Sequence, residues 1–159
     1  MRWEEIDGEC WIVPAERYKT GIAHAVPLTR TVRAVLGKAQ KQGFAFSTTK
    51  GKLPFTGYGK ARKALDEKIV ALRKKDRRKP MPHWVLHDLR RTARSLMSRA
   101  GVSSDIAERV LGHRLPGVRG VYDRYAYLDE KRDALERLAM LIERILHPVP
   151  SVVSFPVTA

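Results

Sequence analysis

The stretch "KARKALDEKIVALRKKDRRK", Lys60 to Lys79, carries ten basic side chains and three acidic ones, a net of +7 on twenty residues. No fold can bury such a segment, because an unpaired charge taken out of water is costly. Its Leu65, Ile69 and Leu72 recur at helical spacing. The segment is therefore expected as a surface helix that turns one narrow stripe inward, until Pro80 and Pro82 break it. An outer face of nearly one sign repels itself, which favours a phosphate-rich surface opposite it. Half of the chain's excess charge lies here, since 31 Lys and Arg against 17 Asp and Glu leave +14 over 159 residues. A polyanionic partner follows, nucleic acid before an acidic membrane surface.

The rest of the chain is cut into short elements by Gly and Pro. Cys10 to Pro14 and His24 to Leu28 read as a β-hairpin around "ERYKTGIA", with Gly21 in the turn. Thr29 can cap a helix along Val32, Val35, Leu36 and Ala39 that Gly43 ends, and Ser47 to Gly59 reads as a loop. Leu89, Ala93, Leu96, Met97 and Ala100 mark a helix closed by Gly101. Ser103 caps another, whose Ile106, Ala107, Val110 and Leu111 face inward until Gly112. A short helix bears Tyr122, Tyr125 and Tyr127, and Asp129 can cap a last helix to about Leu146. Two strands ahead of five or six helices make the fold α+β, mainly helical. Cys10 is the single cysteine, so no internal disulfide forms. No apolar run approaches the ~20 residues that span a bilayer, and the expected location is the cytoplasm.

"HDLRRT" opens a helix with a histidine and two arginines where the dipole is already positive. His87 and Arg90, three residues apart, share a face that suits an oxyanion. His113 and Tyr122 lie nine residues apart, and the break at Pro116 and Gly117 lets both converge on one place. A phenol ionises near pH ~10, so Tyr122 as a nucleophile needs cations and a base beside it.

Together, "WEEIDGECWIVPAERYKTGIAHAVPL", "HDLRRT", "LGH" and "GVYDRY" resemble the tyrosine recombinases, or phage-type integrases, over nearly the whole chain. The resemblance implies a mainly helical catalytic domain with a small sheet that clamps double-stranded DNA. It also implies attack of a tyrosine on a phosphodiester, giving a 3′-phosphotyrosyl link and a 5′-hydroxyl without metal or nucleotide cofactor. By position, Tyr122 matches the nucleophile, and Tyr125 and Tyr127 compete with it. Arg90 matches the arginine that stabilises the phosphorane-like transition state. His87 matches the histidine that assists proton transfer, His113 the one that bonds a non-bridging oxygen, and Lys19 the lysine that protonates the leaving 5′-oxygen. The family's first arginine would precede the segment matching "MRWEEID", and Arg2 falls too late to replace it. A piece of a recombinase, with little cleavage of its own, is the expectation.

Residues 1–146 are expected to form the catalytic domain and 147–159 a tail. The resemblance implies a homo-oligomer on DNA, a tetrameric ring, joined through the C-terminal helix and the tail. Lys60, Arg62, Lys63, Arg73, Lys74 and Lys75 are expected against DNA phosphates. Arg91, about 100° around the helix from Arg90, touches the DNA backbone or pairs with an acid. Two other readings stand beside this one. "LRRTARSLMSRAGVSSDIAERVLGH" has the form of a helix-turn-helix regulator, and an inactive recombinase fragment would bind DNA without cutting it.

Overall fold

The computed structural model describes residues 1–113 and 125–148. The chain divides into two compact units, Met1–Thr92 and Ala93–Ala159. A small antiparallel sheet and five α-helices among the described residues make the fold α+β and mainly helical, 52% of it helix.

The first unit opens on the sheet. β1 (Ile6–Asp7) pairs with β2 (Cys10–Val13), which pairs with β3 (His24–Pro27) through Trp11↔Val26 and Val13↔His24. The expected hairpin is therefore present, with a third strand beyond the two that were expected. That strand is short enough to escape a pattern reading. Its signal is the Asp-Gly pair, because Asp7 faces Cys10 across a two-residue loop in which Gly8 takes φ 54. Glu5 ties this region together, its carboxylate accepting from the Arg2 backbone (2.9 Å), the Trp11 indole (3.0 Å) and the Arg17 guanidinium.

α1 (Arg30–Leu36) is capped by Thr29, whose hydroxyl accepts from the Val32 N–H at 3.3 Å. It stops at Gly37, six residues earlier than expected. Gly37 takes φ 73, which ends the helix before Ala39 can add its turn. Val35 is consequently 75% exposed instead of turned inward. Ser47 to Gly57 is a loop, as expected, and α2 (Tyr58–Lys75) follows it.

α2 departs from the expectation in two ways. It ends at Lys75, before the prolines, and its Leu65 and Leu72 are 46% and 60% exposed. The half-buried positions are Arg62, Asp66, Ile69 and Arg73, also at helical spacing. The chain returning from Pro80 explains this choice. Arg62 lies 4.3 Å over the Trp84 ring and donates to the Trp84 carbonyl, while the Trp84 indole donates to Asp66 at 2.9 Å. Arg73 donates to the Lys79 carbonyl at 2.6 Å. A cation stacked on an indole covers the helix where aliphatic side chains were expected to do so.

The second unit contains the C-terminal part of α3 (Leu86–Arg99), then α4 (Ser104–Val110) and α5 (Leu128–Leu146). Met97 and Ala107 are fully buried and Leu138 nearly so, with Leu96, Val102, Leu111 and Leu135 packed around them. Ser103 caps α4 as expected, accepting from the Ile106 N–H at 3.4 Å. Two details differ. Leu89 is 59% exposed, and the N-cap of α5 is Tyr127, not Asp129. Tyr125 and Tyr127 precede α5 in non-helical backbone, so neither sits on a helix.

Three helix ends share one geometry. In α3 the Val102 N–H bonds the Met97 carbonyl (3.0 Å) and the Gly101 N–H that of Ser98 (3.1 Å), with Gly101 at φ 77. This is the Schellman cap, in which a left-handed residue lets the chain cover its last carbonyls. α2 closes the same way through Arg78 to Arg73 (2.8 Å) and Arg77 to Lys74 (3.2 Å), but Arg77 holds the left-handed position at φ 52. A side chain there strains the backbone, so Arg77→Gly should raise stability by about 0.5–1 kcal/mol net of the extra chain entropy. Urea unfolding measures it, and an unchanged or lower midpoint would count against a strained cap.

Candidate active site

The first turn of α3 answers the question that its charge raises. Asp88, between His87 and Arg90, sends its carboxylate back to the Val85 N–H at 2.8 Å, the reach of a capping box. The same carboxylate accepts from Arg91 at 2.8 Å. The Val85 N–H first, and the Arg91 guanidinium next, hold the Asp88 carboxyl below its ordinary value of 3.8. An acid at this position satisfies an orphan donor and offsets the positive helix end. Of the two outcomes expected for Arg91, the structure has the acid partner. His87 is exposed and Arg90 half-buried, three residues apart on this helix start.

His113 owes its place to the end of α4. The Gly112 N–H bonds the Arg109 carbonyl (3.1 Å) and the His113 N–H that of Glu108 (2.9 Å), with Gly112 at φ 68. "LGH" is thus a Schellman cap in which Leu111 packs on the core, Gly112 turns and His113 folds back. The imidazole Nδ1 meets the Glu108 carboxylate, which also takes Arg94 Nε at 2.7 Å. These bonds, that of His113 first, hold the Glu108 carboxyl below its ordinary value of 4.5.

Lys19 stands exposed on a turn closed by the Gly21 N–H on the Tyr18 carbonyl at 2.8 Å. Tyr18 stacks on His24 with ring centroids 5.1 Å apart, and Arg17 pairs with Glu5, so both arms of the turn are braced. Tyr122 lies outside the described residues. Tyr125 meets Tyr127 edge to face at 4.8 Å, and the Arg109 guanidinium lies 3.8 Å over the Tyr127 ring. On α2, Lys60, Lys63, Lys74 and Lys75 are exposed, whereas Arg62 and Arg73 are half-buried and tied to Trp84 and Lys79. The sequence reading missed Asp88, Arg94 and Glu108. Asp88 was visible as an acid at the third helical position, but nothing in the spacing marked the other two.

The sequence matches the model of the phage integrase family over residues 1–130 of its 159. The chain belongs to that family. No curated protein and no solved structure matches it. The integrase family, that of the tyrosine recombinases, carries out site-specific recombination, and its members act on DNA. Among the described residues of this integrase-family chain, no helix is long and apolar enough to cross a membrane.

Two consequences follow from the His113 cap. A Cβ at Gly112 would be forced into the left-handed region, so Gly112→Ala should cost about 1 kcal/mol and loosen the His113 backbone bond. Thermal unfolding with amide exchange at His113 tests this, and unchanged protection would refute it. The second concerns acid. Because the folded Glu108 carboxyl is depressed, its contribution is present above pH 4.5 and lost as the pH falls through its folded value. Glu108→Gln should therefore flatten the fall of stability below pH 4.5, and a parallel curve would contradict the assignment.

Proposed function

We propose that this chain carries the catalytic domain, residues 1–146, of a site-specific recombinase that cuts and rejoins duplex DNA through a 3′-phosphotyrosyl intermediate on Tyr122. The observation that carries the reading is the local construction of the two motifs. His87 and Arg90 share a capped helix start, and His113 is folded back by a helix end, within a chain of the integrase family. Tyr122 gives its phenolic proton to one of the two histidines, its Oη bonds the phosphorus, and the bond from phosphorus to the 5′-oxygen breaks. Lys19 gives that oxygen its proton, and His87 assists the proton transfers. Arg90 and His113 meet the charge on the non-bridging oxygens, where preorganised donors commonly contribute about 3 kcal/mol each. These residues need no metal to do so, since cations and hydrogen-bond donors supply the stabilisation.

Double-stranded DNA is the substrate, held by the outward lysines of α2. The protein assembles on it as a tetramer through α5 and the tail 147–159. Exposed Ile145 (47%) and Leu146 (63%) at the end of α5 support that assembly, and residues 149–159 of the tail lie outside the described ones. A helix-turn-helix regulator fits less well. Two polar residues of its recognition helix are engaged internally, Glu108 with Arg94 and His113, and Arg109 with Tyr127.

The full product of the gene, incubated with a nicked suicide duplex bearing its site, should form a covalent protein–DNA adduct. Tyr122→Phe should abolish it and Tyr125→Phe should not. An adduct that survives Tyr122→Phe refutes the nucleophile, and a wild type that forms none refutes the reaction. Binding offers a separate check. Reversing Lys63, Lys74 and Lys75 to Glu should weaken affinity at every sequence and lower the slope of log K against log salt by roughly 3. Arg62→Ala should instead cost stability, because Arg62 serves Trp84. An unchanged slope in the triple variant would remove α2 from the DNA interface.

A further inference from the structure

The Schellman cap of α4 is closed by backbone alone, through the His113 N–H on the Glu108 carbonyl and the Gly112 N–H on that of Arg109. Any side chain at position 108 would leave those bonds intact. The carboxylate of Glu108 nevertheless returns to the ring of the residue it already holds by its backbone. The carboxylate is itself fixed. Arg94 donates from Nε to Glu108 at 2.7 Å, and its other two nitrogens go to Ser98 at 2.6 Å and Ser104 at 2.8 Å. A planar guanidinium bound in three directions has little rotational freedom left. It spans α3 and the start of α4, and belongs to the helix that opens with His87 and Arg90.

Chemistry gives this arrangement a purpose. A carboxylate only accepts, so the imidazole nitrogen facing it must carry a proton. A phosphate oxygen also only accepts, and a ring that bonds one must present a protonated nitrogen. With Nδ1 on Glu108, Nε2 is the nitrogen that faces any other partner, and it donates to a phosphate oxygen when the ring carries both protons. We propose that Glu108, braced by Arg94, is a positioning residue that fixes the proton of His113 on Nδ1 and aims the ring to act through Nε2. The role in catalysis rests on the recombinase reading above, whereas the ring geometry does not.

Two measurements separate the parts. Long-range 1H–15N NMR at alkaline pH reads the tautomer of the neutral His113 ring in the protein without DNA. The wild type should be protonated on Nδ1. In Glu108→Gln the ring should shift toward the Nε2-protonated form, because an amide can donate as well as accept. The same nearly isosteric variant should form the covalent adduct on the suicide duplex about tenfold more slowly at saturating DNA, with half-saturation unchanged. Glu108→Asp should recover part of both signals. A wild-type ring protonated on Nε2, a tautomer indifferent to Glu108→Gln, or an unchanged saturated rate would each overturn the proposal. A wild type that forms no adduct would refute the recombinase reading, and the tautomer would still decide whether Glu108 orients His113.

Discussion

The last carbonyls of a helix have no partner inside it, and the way this chain satisfies them governs where its motif residues stand. At the end of α4 the answer is a reversal through Gly112 at φ 68, after which His113 returns its N–H to Glu108. The cap has three tasks at once. It satisfies the carbonyls, seals Leu111 against the core of Met97 and Ala107, and fixes the backbone of His113, whose ring meets the Glu108 carboxylate. The same device at Gly101 sends the chain from α3 into α4 with Val102 packed on that core. Without these two reversals the second unit would have neither its helix order nor its histidine.

The N-terminal end of α3 is the complementary case. There the orphan groups are donors, the dipole is positive, and the chain adds His87, Arg90 and Arg91. Asp88 makes this tolerable by bonding the Val85 N–H and neutralising Arg91 at once. On the same turn His87 is exposed and Arg90 half-buried. An anion at that turn would meet cations already carried on a capped helix.

Much of this was legible in the sequence, and the residues show why. Thr29, Ser103, Gly101 and Gly112 act at the level of one turn, and each does what its chemistry dictates. The errors lie where a local pattern competes with something distant or with a second local signal. Leu65, Ile69 and Leu72 are a valid inward stripe by spacing, but the chain returning at Trp84 covers the face of Arg62 and Asp66, which keeps Ile69 half-buried and leaves Leu65 and Leu72 exposed. The helix after Thr29 has apolar spacing to Ala39, yet Gly37 stops it first. The meeting of Arg94 with Glu108 was unreadable because that bond crosses from one helix to another, and sequence spacing carries no information about it.

The charge on α2 can now be divided by partner. Arg62 is paired with Asp66 and stacked on Trp84, and Arg73 donates to the Lys79 carbonyl. Arg78 has Asp76 within 3.7 Å. Lys63, Lys74 and Lys75 lie exposed on a helix whose two acids, Asp66 and Glu67, cannot balance its seven bases. A single-signed surface of this kind destabilises the compact chain through self-repulsion and gains when a polyanion replaces its counterions. Arg77 sharpens the point, since a glycine would fit its left-handed position with less strain and one less charge. Both departures from local stability concern basic residues along α2 and the turn that closes it. A phosphate backbone lying along that surface would turn both from costs into contacts.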